Sequence, residues 1–436
     1  MVLIATYELG RQPFGLASPA AWLRAAGHRV TVADLACTQL PGPAIEDADL
    51  IAFHLPMHTA TRLFLRVLER IQRANPWAHI CAYGLYAPLN APMLKRAGVD
   101  SILGGEFEQA LVDLASGRCG AATVTLDRLQ FRVPDRSDLP PAGAYARLVT
   151  IDGPRLVAYT EASRGCKHLC RHCPVVPVYR GAFRVVQPEV VLADIRQQVA
   201  GGARHVTFGD PDFFNGPTHA MKIVEALRRE WPELTYDVTI KVEHLLRHRD
   251  LLPRLAATGC AFVTTAVESL EDAMLERLQK GHTRADFVEA LRLTREIGLP
   301  LAPTFIPFTP WTTLAGYRGF LREIAELELA AHVAPIQLAI RLLIPEGSLM
   351  LELPEVRRMI EPFDPRGLCY PWRHADPAVD ALCAAIQDAI KREERRKSSR
   401  AEIFRRIWDL ASAGDFPDLP LADRATVPYL TEPWYC

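Results

Sequence analysis

The chain has 436 residues, enough for two or three domains, and 49% of them are hydrophobic, enough for substantial cores. Its 50 basic and 51 acidic side chains nearly cancel, which excludes the strongly basic balance of a general nucleic-acid or membrane-surface binder. No apolar run reaches the roughly 20 residues of a membrane helix, and MVLIATYELG lacks the basic start, long apolar stretch and cleavage site of a secretion signal; a cytoplasmic protein is expected.

Residues 1–122 alternate strand and helix signals. MVLIATYE reads as a strand, SPAAWLRAAGHRV as a helix ending at Gly27, and VTVADL and DLIAFHL as strands. TRLFLRVLERIQRANP follows as a long amphipathic helix, then the strand HICAYGL, a short helix around APMLKRAG, then DSILGG and EFEQALVDLASG. Strands spaced by helices of this length predict a parallel, doubly wound α/β sheet. Ligands of such sheets sit beyond the carboxyl ends of strands, here Tyr7–Gly10, His54–His58, Gly84–Asn90 and Gly104–Glu106.

Residues 123–155 are poorer in pattern and rich in Pro and Asp (RVPDRSDLPPAG), and read as a linker. Across 156–350 the alternation resumes for about six strand–helix repeats, from LVAYTEA through HVTFGD, LTYDVTI, AFVTTAVES and LAPTFIPF to IQLAIRLLIP. This predicts an incomplete (β/α)6 barrel with its chemistry at the carboxyl ends of the strands. Residues 351–436 form a tail of helical pieces broken by Pro, and AIKREERRKSSRAEIFRRIWDL reads as a solvated helix face.

Of ten cysteines, three crowd into SRGCKHLCRHCPVVPVYRG: Cys166, Cys170 and Cys173. Cys37, Cys81, Cys119, Cys260, Cys369 and Cys383 stand singly and read as small buried hydrophobes of a reducing compartment. The cluster follows the first apolar run of the barrel, where a strand has just ended. Three thiolates at C-x3-C-x2-C can hold one face of an iron–sulfur cluster, which ordinarily takes four; the remaining iron then keeps an open position. The competing reading is a structural zinc site with His168 or His172 as fourth ligand, but zinc sites usually pair two C-x2-C units and no second pair occurs here.

C-x3-C-x2-C at the end of the first strand of a partial barrel is the signature of the radical S-adenosylmethionine (SAM) superfamily. With a flavodoxin-like domain in front of it, the chain resembles the branch with an N-terminal cobalamin-binding-type domain, over about residues 1–350. The resemblance implies a [4Fe–4S] cluster on Cys166, Cys170 and Cys173, with SAM chelating the open iron. It implies an electron donor such as flavodoxin or ferredoxin, reductive cleavage of SAM and a radical acting on a small-molecule or natural-product substrate. Methyl transfer through cobalamin and transfer of a 3-amino-3-carboxypropyl group stay open beside it, as does a non-catalytic metal-binding or electron-transfer protein on the same scaffold.

The family often places an aromatic residue just before the third cysteine, against the adenine of SAM; here it is His172. Gly209, Asp210 and Asp212, in GDPDFFN after a strand, resemble the ridge that meets SAM's ammonium, with a helix-capping turn as the alternative. TIKVEH puts Lys241 and Glu243 on one face of a strand. Glu268 and Ser269 end a strand and suit ribose hydroxyls. Arg341 in AIRLLIP needs a carboxylate partner, either SAM's or a structural one. KGHT (280–283) and TPWTT (309–313) resemble loops at the substrate end of this branch.

The histidine-ligating cobalamin motif D-x-H-x2-G is absent from residues 1–120, where the first strand runs into YELGRQPFG. Either cobalamin binds without a protein ligand, or the fold persists without the cofactor; His54 and His58 lie near a strand end, where a lone His is more often a surface or core residue. The sequence stops at TEPWYC. Cys436 resembles the start of a Cys-Sec-Ala-Glu-Pro or Cys-Cys-Ala-Glu-Pro tail found in one radical SAM subgroup, in which a Cys–Sec pair would bind a soft element or relay electrons. The alternative is a terminal thiol with no role.

Overall fold

The computed structural model describes residues 1–118, 123–417 and 427–431. The first sheet is built from β1 (Val2–Ala5), β2 (Thr31–Asp34), β3 (Leu50–His54), β4 (His79–Tyr83), β5 (Ser101–Gly105) and β6 (Val124–Thr125). Its order is β2-β1-β3-β4-β5-β6, all parallel, the flavodoxin-like order with one short strand added. β1 and β3 are buried along their whole length, because helices cover both faces and every residue of a central parallel strand must be compatible with a core. The helix His58–Ala74 turns Phe64, Leu68 and Ile71 inward at three- and four-residue spacing.

The second sheet takes β7 (Arg147–Thr150), β8 (Gly153–Thr160), β11 (His205–Phe208), β12 (Thr235–Thr239), β13 (Cys260–Glu268), β14 (Leu301–Phe305) and β15 (Tyr429–Leu430), while β9 (Ser163–Gly165) and β10 (Phe183–Val185) form a separate antiparallel pair. Strands β8 and β11–β14 are parallel neighbours in the order β14-β13-β12-β11-β8. They form the curled half-barrel. β7 and β15 extend its β8 edge antiparallel.

Three segments differ from the sequence reading. The segment 123–155 is no plain linker: it gives β6 to the first sheet and β7 to the second. The sixth repeat does not become a strand. IQLAIRLLIP begins as a 3-10 turn, Pro335–Leu338, and keeps one parallel bridge, Phe308–Arg341, because Pro335 withholds a ladder donor at the start of the run. The C-terminal part is helical over Pro354–Met359, Pro377–Arg395 and Arg400–Ala411, but also supplies β15. The charged run is only partly a solvated face, since Ile403, Phe404, Ile407 and Trp408 join the barrel core. Among the described residues, no helix is long and apolar enough to cross a membrane. Of the single cysteines that are described, Cys81, Cys260 and Cys383 are buried, whereas Cys37 is exposed and Cys369 half-buried.

The two sheets are joined by buried ion pairs. Arg164 of β9 reaches Glu108 at 2.7 Å, Glu161 at 2.6 Å and Glu106 at 3.5 Å, and its guanidinium lies over the rings of Phe14, Phe107 and Phe131. Burial pushes the Glu106 carboxyl up to about 7. Arg136 is held by both oxygens of the fully buried Asp194, by the Tyr159 carbonyl and by Gln12. Arg136→Met leaves Asp194 buried without its cation. A loss of about 3–5 kcal/mol is expected, read as an earlier midpoint in urea unfolding of the full chain.

Candidate active site

The cysteine loop begins where β9 ends. Gly165 has φ +74°, and a Cβ there would come within 2.4 Å of the Tyr179 ring, so only glycine lets the chain turn into Cys166. Cys170 and Cys173 follow before the short helix Val175–Tyr179, with the Cys173 amide donating to the Cys170 carbonyl at 3.1 Å. Asn215 Oδ1 accepts from the Lys167 amide at 3.1 Å and lies 3.9 Å from Cys166 Sγ, tying the loop to the turn after β11. Burial pushes the Cys166 thiol up and the Cys173 thiol up to about 12. Buried thiols of this kind become good ligands when a metal displaces their protons. Among the described residues, the group tight enough for one ion is Cys166, His168 and Asp212, with ligand atoms within 4.8 Å of each other; the three cysteines do not form such a group, and wider-set sulfurs suit a multi-iron cluster better than a single ion.

Two buried cations face this loop. Lys280 is 2% exposed and lies 3.4 Å from Glu268. Burial works against both charges. For Glu268, Lys280 and the His172 ring at 3.2 Å overcome it and hold the carboxyl down to about 2; for Lys280, Glu268 and the cysteines raise the ammonium. Glu268 itself has φ +70° at a bulge against β14, the kind of backbone strain that surrounding structure must hold in place. Lys241 donates to Cys170 Sγ at 3.6 Å. It sits not on a strand, as its spacing predicts, but in the turn between β12 and the helix Val242–Arg247, and Glu243 lies in that helix, 3.8 Å away. Behind the loop, Asp212 stands 2.7 Å from His244 Nδ1 and 3.4 Å from His168 Nε2. These atoms are buried without an aligned hydrogen bond. Burial alone would raise Asp212, but the two rings hold it below the usual carboxylate range. Both ring nitrogens of His282 are also buried without an aligned hydrogen bond, and burial together with Lys280 and Lys241 lowers that ring to about 4.

Residues 160–314, which contain all of these groups, match the family model of the Radical SAM superfamily. This part of the chain is a radical SAM domain. Curated relatives resemble it over the same stretch: a hopanoid C-3 methylase of Methylococcus capsulatus is 27% identical over 185 residues, 42% of this chain and 35% of that protein. A tRNA-2-methylthio-N(6)-dimethylallyladenosine synthase of Desulfosudis oleivorans is 30% identical over 172 residues, 37% of this chain and 36% of that protein. The chain thus spans about a third of the length of these relatives. In fold it is similar to OxsB, a cobalamin-dependent SAM radical enzyme solved with aqua-cobalamin and SAM, with a TM-score of 0.66 and 16% identity over 90% of this chain and 66% of that one. It is also similar to TsrM, a radical SAM methyltransferase from Kitasatospora setae, with a TM-score of 0.61 and 15% identity over 81% of this chain and 76% of that one. At such identities the likeness is one of fold.

A radical SAM domain implies a [4Fe–4S] cluster and SAM, and the residues present fit both. Beside the cysteine loop opens a chamber of about 1100 Å³. Phe262, Thr264, Ala266 and Glu268 line it from alternate positions of β13, and Asp237 and Thr239 do so from β12. Arg400 and Tyr429 line its C-terminal side. Glu268 therefore joins the loop to the chamber. Gly209 also lines the chamber, and a Cβ there would strike the Tyr159 hydroxyl at 2.1 Å.

The other expected residues take different partners. Asp210 accepts from the Ala162 amide and the Ser163 hydroxyl, and burial pushes its carboxyl to about 7, so both oxygens serve the chain's own loop. Ser269 accepts from the Glu271 amide at the start of the next helix. Arg341 pairs with Asp380, donates to the Trp372 carbonyl and covers the Trp372 ring; its carboxylate is supplied by the C-terminal helix. Cys436 lies outside the described residues. Lys280 and Asn215 were within reach of the sequence, in KGHT and GDPDFFN, but nothing local gave them roles.

Cobalamin would have to span two adjoining spaces, the chamber and a first-sheet pocket that shares Arg11, Gly209 and Pro211 with it. At the carboxyl end of the first sheet the pocket measures about 190 Å³, lined by Glu8, His54, Gly84, Phe107, Glu161 and Tyr179 among others. A drug-sized ligand takes roughly 300–1,000 Å³, and a corrin is larger still. The His54 ring fills a slot between Gly15 and Gly84, where a Cβ would meet it at 2.0 and 3.0 Å, and His58 is bonded to the Gly367 carbonyl at 2.6 Å. Gly165→Ala is expected to cause a several-fold drop in iron retained after anaerobic reconstitution, because the left-handed turn into Cys166 and the contact with Tyr179 are both lost.

Proposed function

We propose that the protein is a radical SAM enzyme that cleaves SAM reductively and directs the resulting radical at a small substrate held in the barrel chamber. The observation that carries this is the meeting of three parts at one place: the three-cysteine loop, the buried Lys280–Glu268 pair, and the 1100 Å³ chamber that Glu268 lines. When bound, a [4Fe–4S] cluster supplies the electron that breaks a carbon–sulfur bond of SAM. The chain's own residues do the rest. Cys166, Cys170 and Cys173 hold the cluster. Lys280 offers a buried cation to SAM's carboxylate, and Glu268 offers a charged acceptor to its ammonium or ribose hydroxyls. His172 stands 3.2 Å from Glu268. The threonines of β12 to β14 give the chamber neutral hydrogen-bonding groups along its walls. A one-electron donor such as flavodoxin or ferredoxin would be the physiological partner. Methyl transfer through cobalamin is the alternative reaction, with the first-sheet pocket opening beside the chamber at Arg11, Gly209 and Pro211.

The test is anaerobic, reconstituted full-length protein with dithionite and SAM, with the SAM-derived products identified by mass. 5′-Deoxyadenosine is expected, and it disappears when Cys166, Cys170 and Cys173 are replaced by Ala. Methylthioadenosine instead would keep the SAM site and assign 3-amino-3-carboxypropyl transfer. Lys280→Met is expected to weaken SAM binding by roughly tenfold or more, as loss of a charge-assisted bond implies, while iron content is kept; equilibrium dialysis reads it.

A second reading rests on Cys166, His168 and Asp212, which stand close enough to hold one ion, with His244 beside them. It makes the loop a structural zinc site. Metal analysis of protein purified without air separates the two: iron with sulfide supports the enzyme, and one zinc without iron supports the alternative.

A further inference from the structure

Lys241 is buried, with the residue 6% exposed. A buried ammonium is costly unless something compensates it. The carboxylate nearest to it, Glu243 at 3.8 Å, is shared: Arg247 holds that residue at 2.6 Å and the His168 ring approaches it at 3.4 Å. Gly281 closes the other side, where a Cβ would come within 2.8 Å of Glu243 and 4.0 Å of Lys241 Nζ, so the lysine has little room to swing away. Its hydrogen bond is to Cys170 Sγ, at 3.6 Å. The lysine is thus held against a sulfur that the proposed function makes a cluster ligand. Cys166 Sγ has neutral groups near it, the amide oxygen of Asn215 at 3.9 Å and the backbone amide of His168.

An N–H donor to a ligating sulfur, and a positive charge beside it, both favour the reduced form of an iron–sulfur cluster, because the added electron is placed next to the charge. We propose that Lys241 is a positioning residue that acts through Cys170 to raise the reduction potential of the cluster. The step it assists is transfer of one electron from the external donor to the oxidised cluster; the lysine keeps its proton and forms no bond. This rests on the radical SAM reading, but is separable from it.

The experiment is an anaerobic redox titration of reconstituted full-length protein without SAM, followed by the electron paramagnetic resonance of the reduced cluster. Wild type is compared with Lys241→Met, Lys241→Gln and Lys241→Arg at equal iron content. The neutral variants are expected to show a roughly tenfold smaller ratio of reduced to oxidised cluster at a fixed ambient potential, a midpoint about 60 mV lower for a one-electron couple. Lys241→Arg, which keeps the charge, is expected to restore most of the shift. Unchanged midpoints in both neutral variants would overturn the proposal. So would loss of the cluster from both in a folded chain, since Lys241 would then serve assembly. A wild-type protein without a reducible cluster would instead sink the proposed function itself.

Discussion

Arg164 holds the arrangement together. It stands two residues before Cys166, and its guanidinium is shared by Glu108, Glu106 and Glu161 inside a cage of three aromatic rings. Glu106 and Glu108 belong to the end of the first sheet and the helix after it; Glu161 and Arg164 belong to the barrel. Taking these charges out of water is affordable only as a set, since removing one partner leaves another buried and uncompensated. The same contact that joins the first sheet to the half-barrel therefore fixes the start of the cysteine loop. Gly165 then turns the chain and Cys166 emerges. The loop has few turns of its own, and its position comes from the pairing on one side and from Asn215 on the other.

Charge is distributed around the site in a similar way. Lys280, Glu268 and His172 form one buried group, and Asp212 with His168 and His244 forms another. Lys241 lies between, against Cys170. In water these groups would be worth little to each other. Behind the loop, with water excluded, each is set by its neighbours, as the low Glu268 and the low His282 indicate. A pocket whose charges are already oriented before a ligand arrives loses little in reorganisation when a charged cofactor binds or an electron is added.

Much of this was legible in the sequence. Apolar runs gave the first five strands of the first sheet, because central parallel strands such as VLIA are apolar at every position. The cysteine spacing after an apolar run placed the loop at a strand end. What escaped has physical reasons. IQLAIRLLIP has a strand's composition, yet Pro335 and tertiary packing leave it a turn and a single bridge. TIKVEH alternates like a strand, but β12 stops at Thr239 and the chain turns into a helix. Arg341 signalled a need for a carboxylate, and no local pattern could say that Asp380, on a helix 39 residues later, would meet it. The same limit hid Lys280: its role comes from Glu268, twelve residues away across a helix.

The account stands or falls on whether the loop holds an iron–sulfur cluster with a position open to SAM. The most direct measurement is the electron paramagnetic resonance of the reduced, reconstituted protein before and after SAM is added, alongside iron and sulfide analysis. The account predicts about four irons per chain and a reduced-cluster signal whose shape changes when SAM binds. A cluster signal indifferent to SAM, or zinc in place of iron, would contradict it.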